Sequence, residues 1–369
     1  WLGGVLAVGC GASGAPNGAR PQAAVSISPA LATIPLGGRT QLVATLRDSL
    51  GTTLSGRPVT WSVADTTVAK VSGHGAVSGV GVGATTVTAT IEGKRGQAGI
   101  SVSEGPLTSV SLVGAGDIGD CNSDGDEQTA ALLDSLPGTV FTAGDNAYSD
   151  GAASEFAQCY NASWGRHKAR TRPAPGNHDY RSSRARPYYA YFGAQAGDSR
   201  TGYYSYDLGA WHVIALNSNI GMKAQSAQGR WLRADLAATT ARCVLAYWHH
   251  PRFSSGTEHG SDSRTDPLWQ TLDDYGADII ISGHEHNYER FAPQTPSGVA
   301  APDRGIRQFV VGTGGADLYS FGTPIPNSEV RSGDTWGVLR LTLWPDAYDW
   351  EFIPVAGGSF RDSGNGTCH

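Results

Sequence analysis

Five times along this chain a short apolar run halts and passes at once to carboxylates, amides or imidazoles: Gly116-Asp-Ile-Gly-Asp120, Gly144-Asp-Asn-Ala-Tyr148, Gly176-Asn-His-Asp179, Trp248-His-His-Pro251 and Gly283-His-Glu-His286. An apolar run that stops so abruptly reads as a buried strand reaching its end, and open α/β sheets place their sites in the loops beyond the carboxyl ends of strands. A single Gly-Asp after a strand is ordinarily a turn with a capping aspartate. Five in succession form a set. They supply oxygen and imidazole donors with no thiolate near them in sequence, which suits Fe, Mn or Zn.

Ahead of these motifs the pattern is different. From Val25 to Ser103 apolar and polar residues alternate in short runs broken by glycine, with strands predicted at Val25–Ile27, Gln41–Leu46, Val59–Val63, Val68–Val71, Thr85–Ile91 and near Gly99–Val102. Alternation at this spacing predicts a small all-β sandwich with Trp61 in its core. The succession ISP, LGGRTQLVATLRDSLG, VTWSVADTTVAKVS, GAVSGVGVGATTVTAT resembles bacterial immunoglobulin-like domains of group 2. That resemblance implies a spacer or adhesive unit without chemistry of its own.

The first residues suggest export. Leu2 to Val8 is apolar, Ala-Val-Gly-Cys10 resembles a lipoprotein cleavage box, and a Gly/Ala/Pro/Ser-rich tether follows. The expected organisation is therefore 1–22 signal or lipoprotein remnant and tether, with a lipid anchor at Cys10; 23–104 immunoglobulin-like domain; and 107–369 catalytic domain. The protein is expected outside the cytoplasm, extracellular, periplasmic or anchored at a bacterial surface. Cys121, Cys159, Cys243 and Cys368 then allow two disulfides, expected as Cys121 with Cys159 and Cys243 with Cys368. With 27 Lys and Arg against 33 Asp and Glu, a net charge of -6, no basic surface is available for a nucleic-acid backbone.

In the second domain strands are predicted at Ser109–Ala115, Val140–Ala143, Arg172–Pro175, Tyr203–Asp207, Trp211–Leu216, Val244–Trp248, Asp278–Ile281, Gln308–Val311, Val338–Leu343 and Tyr348–Phe352, with an amphipathic helix at Glu127–Leu136. With the five motifs in this order, residues 107–369 resemble the calcineurin-like metallophosphoesterases, and within them the purple acid phosphatases. Many relatives carry a His two residues after the first Asp; here Asp117 is followed by Ile118 and Gly119, and Tyr148 stands three residues after Asp145. The resemblance implies a four-layer α/β (α+β) β-sandwich flanked by helices, behind the all-β domain. It implies two metal ions, one held by Asp117, Tyr148 and His286, the other by Asn177, His249 and His284, with Asp145 bridging. His250 rivals His249, which is preferred because it lies two residues before Pro251. Fe(III) is expected at the Tyr148 position and Fe, Zn or Mn at the second.

Two carboxylates, a phenolate and a bridging hydroxide set against a ferric and a divalent ion leave about +1, so an acidic protein presents a positive pocket. The implied reaction is hydrolysis of phosphate monoesters by a metal-bound hydroxide, releasing inorganic phosphate. His178 assists the leaving group, Asp179 fixes its orientation, and His259 is a second substrate-facing histidine. No obligate protein partner is expected. The competing readings are a phosphodiesterase or nucleotide pyrophosphatase of the same fold, and an adhesive surface protein with an inactive catalytic scaffold.

Overall fold

The computed structural model describes residues 24–49, 51–103 and 109–369. The expected leader, tether and lipid-anchor residue Cys10 lie outside the described residues. Two compact units meet in sequence at Pro106 and Leu107.

The first unit carries strands β1 (Ala24–Ser28), β2 (Leu31–Pro35), β3 (Arg39–Gln41), β4 (Val43–Arg47), β5 (Thr60–Val63), β6 (Ala69–Val71), β7 (Ala76–Gly79), β8 (Gly83–Ile91) and β9 (Lys94–Ser103). They pair in the orders β2-β9-β8-β5, β3-β7-β6 and β1-β4. The alternation visible in the sequence becomes burial: along β9, Ala98, Ile100 and Val102 point into a core with Ile34, Leu42, Val77, Val87 and Ala89, while Gln97 and Ser101 face out. Trp61 packs against that core and is only half-buried. Strands β2 and β7 were not anticipated. Each is short, and Pro35 or Gly79 at its end reads locally as a turn.

The second unit holds β10 (Val110–Ala115), β11 (Thr139–Ala143), β12 (Thr171–Ala174), β13 (Tyr204–Leu208), β14 (Trp211–Ala215), β15 (Cys243–Tyr247), β16 (Ile279–Ser282), β17 (Tyr288–Phe291), β18 (Arg307–Val311), β19 (Ser328–Ser332), β20 (Gly337–Leu343), β21 (Ala347–Pro354) and β22 (Asp362–Thr367). Helices α1 (Gly125–Ser135), α2 (Ala153–Glu155), α3 (Asn177–Arg181), α4 (Arg186–Phe192), α5 (Ala227–Ala238) and α6 (Asp266–Asp274) lie between them. A six-stranded sheet runs β12-β11-β10-β20-β21-β22, and a seven-stranded sheet runs β13-β14-β15-β16-β18-β17-β19.

The inner strands are predominantly apolar because both of their faces are covered. In the seven-stranded sheet Val213, Leu245, Ile279 and Ile281 join the core shared with Leu112, Val113, Val140 and Phe141 of the other sheet. Their neighbours Ile214, Val244, Ala246 and Ile280 face away and are covered by Leu232 and Leu236 of α5 and Leu268, Trp269 and Leu272 of α6. This is the layered sandwich the sequence implied. Strands β10, β11 and β12 are mutually parallel, as are β14, β15, β16 and β18, so five carboxyl ends carry the five polar motifs. Two disulfides close the unit, Cys121–Cys159 and Cys243–Cys368, with Cα atoms 5.1 and 5.4 Å apart.

Candidate metal centre

Three of the five motifs turn sharply where their strands end. Asp117, Asp145 and His284 all adopt left-handed backbone, with φ of 61°, 48° and 71°, a conformation that non-glycine residues hold only when their surroundings dictate it. Here the surroundings are one another's loops. Asp117 Oδ2 accepts the His284 backbone N–H at 2.8 Å, and Asp145 Oδ1 accepts that of His178 at 2.7 Å. One oxygen of each carboxylate thus ties two loops together, and the other faces inward. The glycines make room. A Cβ on Gly176 would lie 2.1 Å from Asp145 Oδ1, and one on Gly144 2.6 Å from the His249 ring.

The inward-facing atoms form two groups. In the first, Tyr148 Oη lies 2.7 Å from Asp117 Oδ1, 3.1 Å from Asp145 Oδ2 and 3.1 Å from His286 Nε2. In the second, His249 Nε2 lies 2.9 Å from Asn177 Oδ1, 3.1 Å from His284 Nδ1 and 3.1 Å from Asp145 Oδ2. Asp145 Oδ2 belongs to both. All seven residues singled out for metal ligation therefore come together from five separate loops.

The donor set fits cations. Separations near 3 Å suit oxygen and nitrogen atoms that each lie about 2 Å from a common ion. Asp117, Asp145 and His249 are almost wholly buried, and two carboxylates enclosed this closely draw positive charge toward themselves. Burial alone would lower the His249 imidazole, yet Asp145 and Asp117 outweigh it and lift it to about 9. Burial, then the same two carboxylates, push the Tyr148 phenol far above its ordinary value; only a cation beside it would favour the phenolate. Two ligand rings have their other nitrogen engaged, His249 Nδ1 on the Ala143 carbonyl at 2.9 Å and His286 Nδ1 on that of Asp317 at 2.6 Å, an arrangement typical of metal-binding histidines.

The remaining candidates fall around this pair of groups. His178 Nδ1 donates to the Ser149 carbonyl at 2.5 Å, its Nε2 lies 3.9 Å from Asp145 Oδ2, and its ring packs 4.5 Å from that of Tyr148. His259 stacks on His284 with ring centroids 4.0 Å apart. Asp179 does not orient His178, contrary to expectation. It is fully buried and accepts the backbone N–H of Gly176 at 2.8 Å and the Asn146 side-chain amide at 2.9 Å, bracing the second motif against the third. Burial, then repulsion from Asp145, raises its carboxyl to about 7. Arg252 is paired with Asp266 and lies over the Phe253 ring.

Three neighbours escaped the sequence reading. Tyr319 stacks on His286 at 4.0 Å and 9°. Glu285, buried between the two histidines of its motif, accepts the backbone N–H of His259 at 2.7 Å. Ser218 Oγ lies 2.7 Å from His250 Nδ1. Glu285 stood inside a quoted motif, and Ser218 follows the apolar run of β14 in the same strand-stop pattern; the position of Tyr319 carries no comparable signal.

Residues 111–288 match the calcineurin-like phosphoesterase family, and residues 22–101 match the bacterial Ig-like domain family, group 2. Purple acid phosphatase 15 of Arabidopsis thaliana is 35% identical over 101 residues, covering 26% of this chain and 19% of its own length. Purple acid phosphatase 22 of the same plant is 30% identical over 154 residues, 38% of this chain and 34% of that protein. The chain thus spans about a fifth to a third of the length of these curated relatives. The solved structure of purple acid phosphatase PPD1 from yellow lupin (Lupinus luteus) seeds shares the fold, with a TM-score of 0.59, 18% identity and coverage of 93% of this chain and 69% of that one. Motif order, strand topology and these matches agree: residues 111–288 form a calcineurin-like phosphoesterase domain, similar in sequence and fold to purple acid phosphatases, preceded by a group 2 bacterial immunoglobulin-like domain.

Proposed function

We propose that this protein hydrolyses phosphate monoesters and releases inorganic phosphate at a centre for two metal ions. The observation that carries the reading is the placement of Asp145 Oδ2 at 3.1 Å from both Tyr148 Oη and His249 Nε2, one oxygen common to two donor groups. Asp117, Tyr148 and His286 would hold the first ion, Fe(III) by the oxygen-rich donor set. Asn177, His249 and His284 would hold the second, Fe, Zn or Mn, with Asp145 between them. Bound there, such ions supply positive charge to the phosphoryl oxygens and bring the pKa of a bound water down to about 7.

The chain's own groups do the rest. Asp117, Asp145 and Tyr148 set the charge of the pocket. The Ser149 carbonyl can only accept, so His178 Nδ1 carries a hydrogen and Nε2 is the nitrogen that gains or gives up a proton, facing the centre. That is the placement needed to protonate a departing alkoxide or phenoxide. His259, exposed and stacked on His284, would meet the substrate beside the second group. Two disulfides suit an oxidising compartment, and no described helix is long and apolar enough to cross a membrane; export, with or without a lipid at Cys10, completes the reading.

Elemental analysis of the purified chain alongside hydrolysis of an aryl phosphate monoester and its diester tests this. The expected result is two ions per chain, preference for the monoester, and visible absorption from a ferric phenolate. Faster diester cleavage would reassign the substrate, and a chain holding two ions yet inert toward a broad phosphoester panel would overturn the enzyme reading.

A further inference from the structure

The imidazoles around the centre are not all held in the same way. His249, His286 and His178 each donate Nδ1–H to a backbone carbonyl, which fixes the ring so that its other nitrogen faces inward. His284 lacks that tether. Its Nδ1 is the nitrogen that faces His249, and among the described residues no hydrogen bond reaches its Nε2. Other rings hold it instead. His259 stacks on it at 4.0 Å and 18°, and His250 meets it at 4.4 Å and 53°. No ring contact joins His250 to His259 among the described residues, so each meets His284 separately.

Each flanking ring is secured from behind. Ser218 Oγ lies 2.7 Å from His250 Nδ1 and accepts the His250 backbone N–H at 3.2 Å, gripping side chain and main chain together. Ser218 follows β14 and His250 follows β15, neighbouring parallel strands, so the contact spans two adjacent strand ends. On the other side the His259 loop hangs on buried Glu285 through the backbone N–H groups of His259 and Gly260.

We infer that Ser218 and His250 are a positioning pair: the His250 ring, pinned by Ser218, wedges His284 in the orientation that a hydrogen bond gives the other imidazoles. His250 acts through ring packing and is not an additional ligand. The inference rests on the dimetal reading, because its consequence is retention of the second ion.

Titration of the metal-free full-length chain with Co²⁺, followed by visible absorption, reads each site's affinity and ligand field. The wild type is expected to take up two ions. His250→Ala should weaken the second by about 10- to 100-fold and leave the first within about threefold. His250→Phe, which restores the ring but not its contact with Ser218, should weaken the second site about three- to tenfold, as should Ser218→Ala, which removes the same contact and leaves the ring. An unchanged second site in His250→Ala, or in Ser218→Ala should the former not fold, overturns the inference. So does His250→Phe binding as poorly as His250→Ala, since the packed ring itself would then contribute nothing. A wild type that binds fewer than two ions marks failure of the dimetal reading itself, separately from these outcomes.

Discussion

Around Tyr148 the donors are two carboxylates, a phenol and one imidazole, whereas around His249 they are one amide, two imidazoles and a single shared carboxylate. The first group is hard and rich in ionisable oxygen, the setting a trivalent ion favours; the second is richer in nitrogen and suits a borderline divalent ion. Support differs as well. His286 is tethered to Asp317 and covered by the flat face of Tyr319, while His284 relies on neighbouring rings. The two donor groups can thus differ in charge preference and in rigidity because they draw on different loops, and Asp145 Oδ2 is the atom common to both.

The sharpest way to break this comparison is to remove what the halves share. Asp145→Ala should release both ions and cut hydrolysis at least about a thousandfold, read by elemental analysis and steady-state rates on the same preparation; loss of one ion alone would mean that the bridge is not shared. Next in size is His178→Ala. His178 leaves the loop of the second group but packs on Tyr148 of the first, and acts on neither ion. Its loss should lower kcat about a hundredfold with both ions retained, and more for a poor leaving group than for a good one. A smaller, crossed effect separates the halves: Tyr148→Phe should weaken the first ion by at least about tenfold and abolish the visible band, and Asn177→Ala should do the same to the second ion while leaving the band in place. If either substitution weakens both ions equally, the division into two groups is wrong.

The same contrast shows what could be read from residues alone. The donors were legible because strands such as β10, β11, β15 and β16 are buried on both faces and must be apolar, so that a polar residue at their ends stands out. Strands β19 and β22 did not stand out. Ser328–Ser332 and Asp362–Thr367 are polar because each lies at the edge of its sheet and pairs on one side only. Tyr288 and Arg290 of β17 both bind Asp362 of β22. Asp179 departs from the expected role because adjacency in sequence is not adjacency in space. His178 and Asp179 follow each other in the first turn of α3, where successive side chains diverge by about 100°, and Asp179 turns back onto Gly176. Tyr319 reaches the centre only through a contact between loops far apart in the chain, which no local pattern announces.

The smallest predicted effect tests whether the centre's behaviour can be separated from that of its scaffold. His212 lies on β14, hydrogen-bonded to Asp207 at 2.9 Å and to Asp235 of α5 at 2.8 Å. Burial disfavours its charged form, but Asp235 and Asp207 outweigh burial and raise its pKa above 6.5. A histidine whose pKa is raised by folding contributes stability that is fully present below the unfolded value and is lost as pH rises through the folded one. The melting midpoint of the full chain should therefore fall by about 2–4 °C across that window, and Asp235→Asn should flatten the dependence by removing the larger of the two carboxylate interactions. Metal content of that variant, measured at pH 6, should equal that of wild type, because Asp235 and His212 touch neither donor group. A slope that survives the substitution would place its origin elsewhere, and loss of an ion would show that the strand ends carrying the centre feel changes made on the helix-covered flank of the sheet.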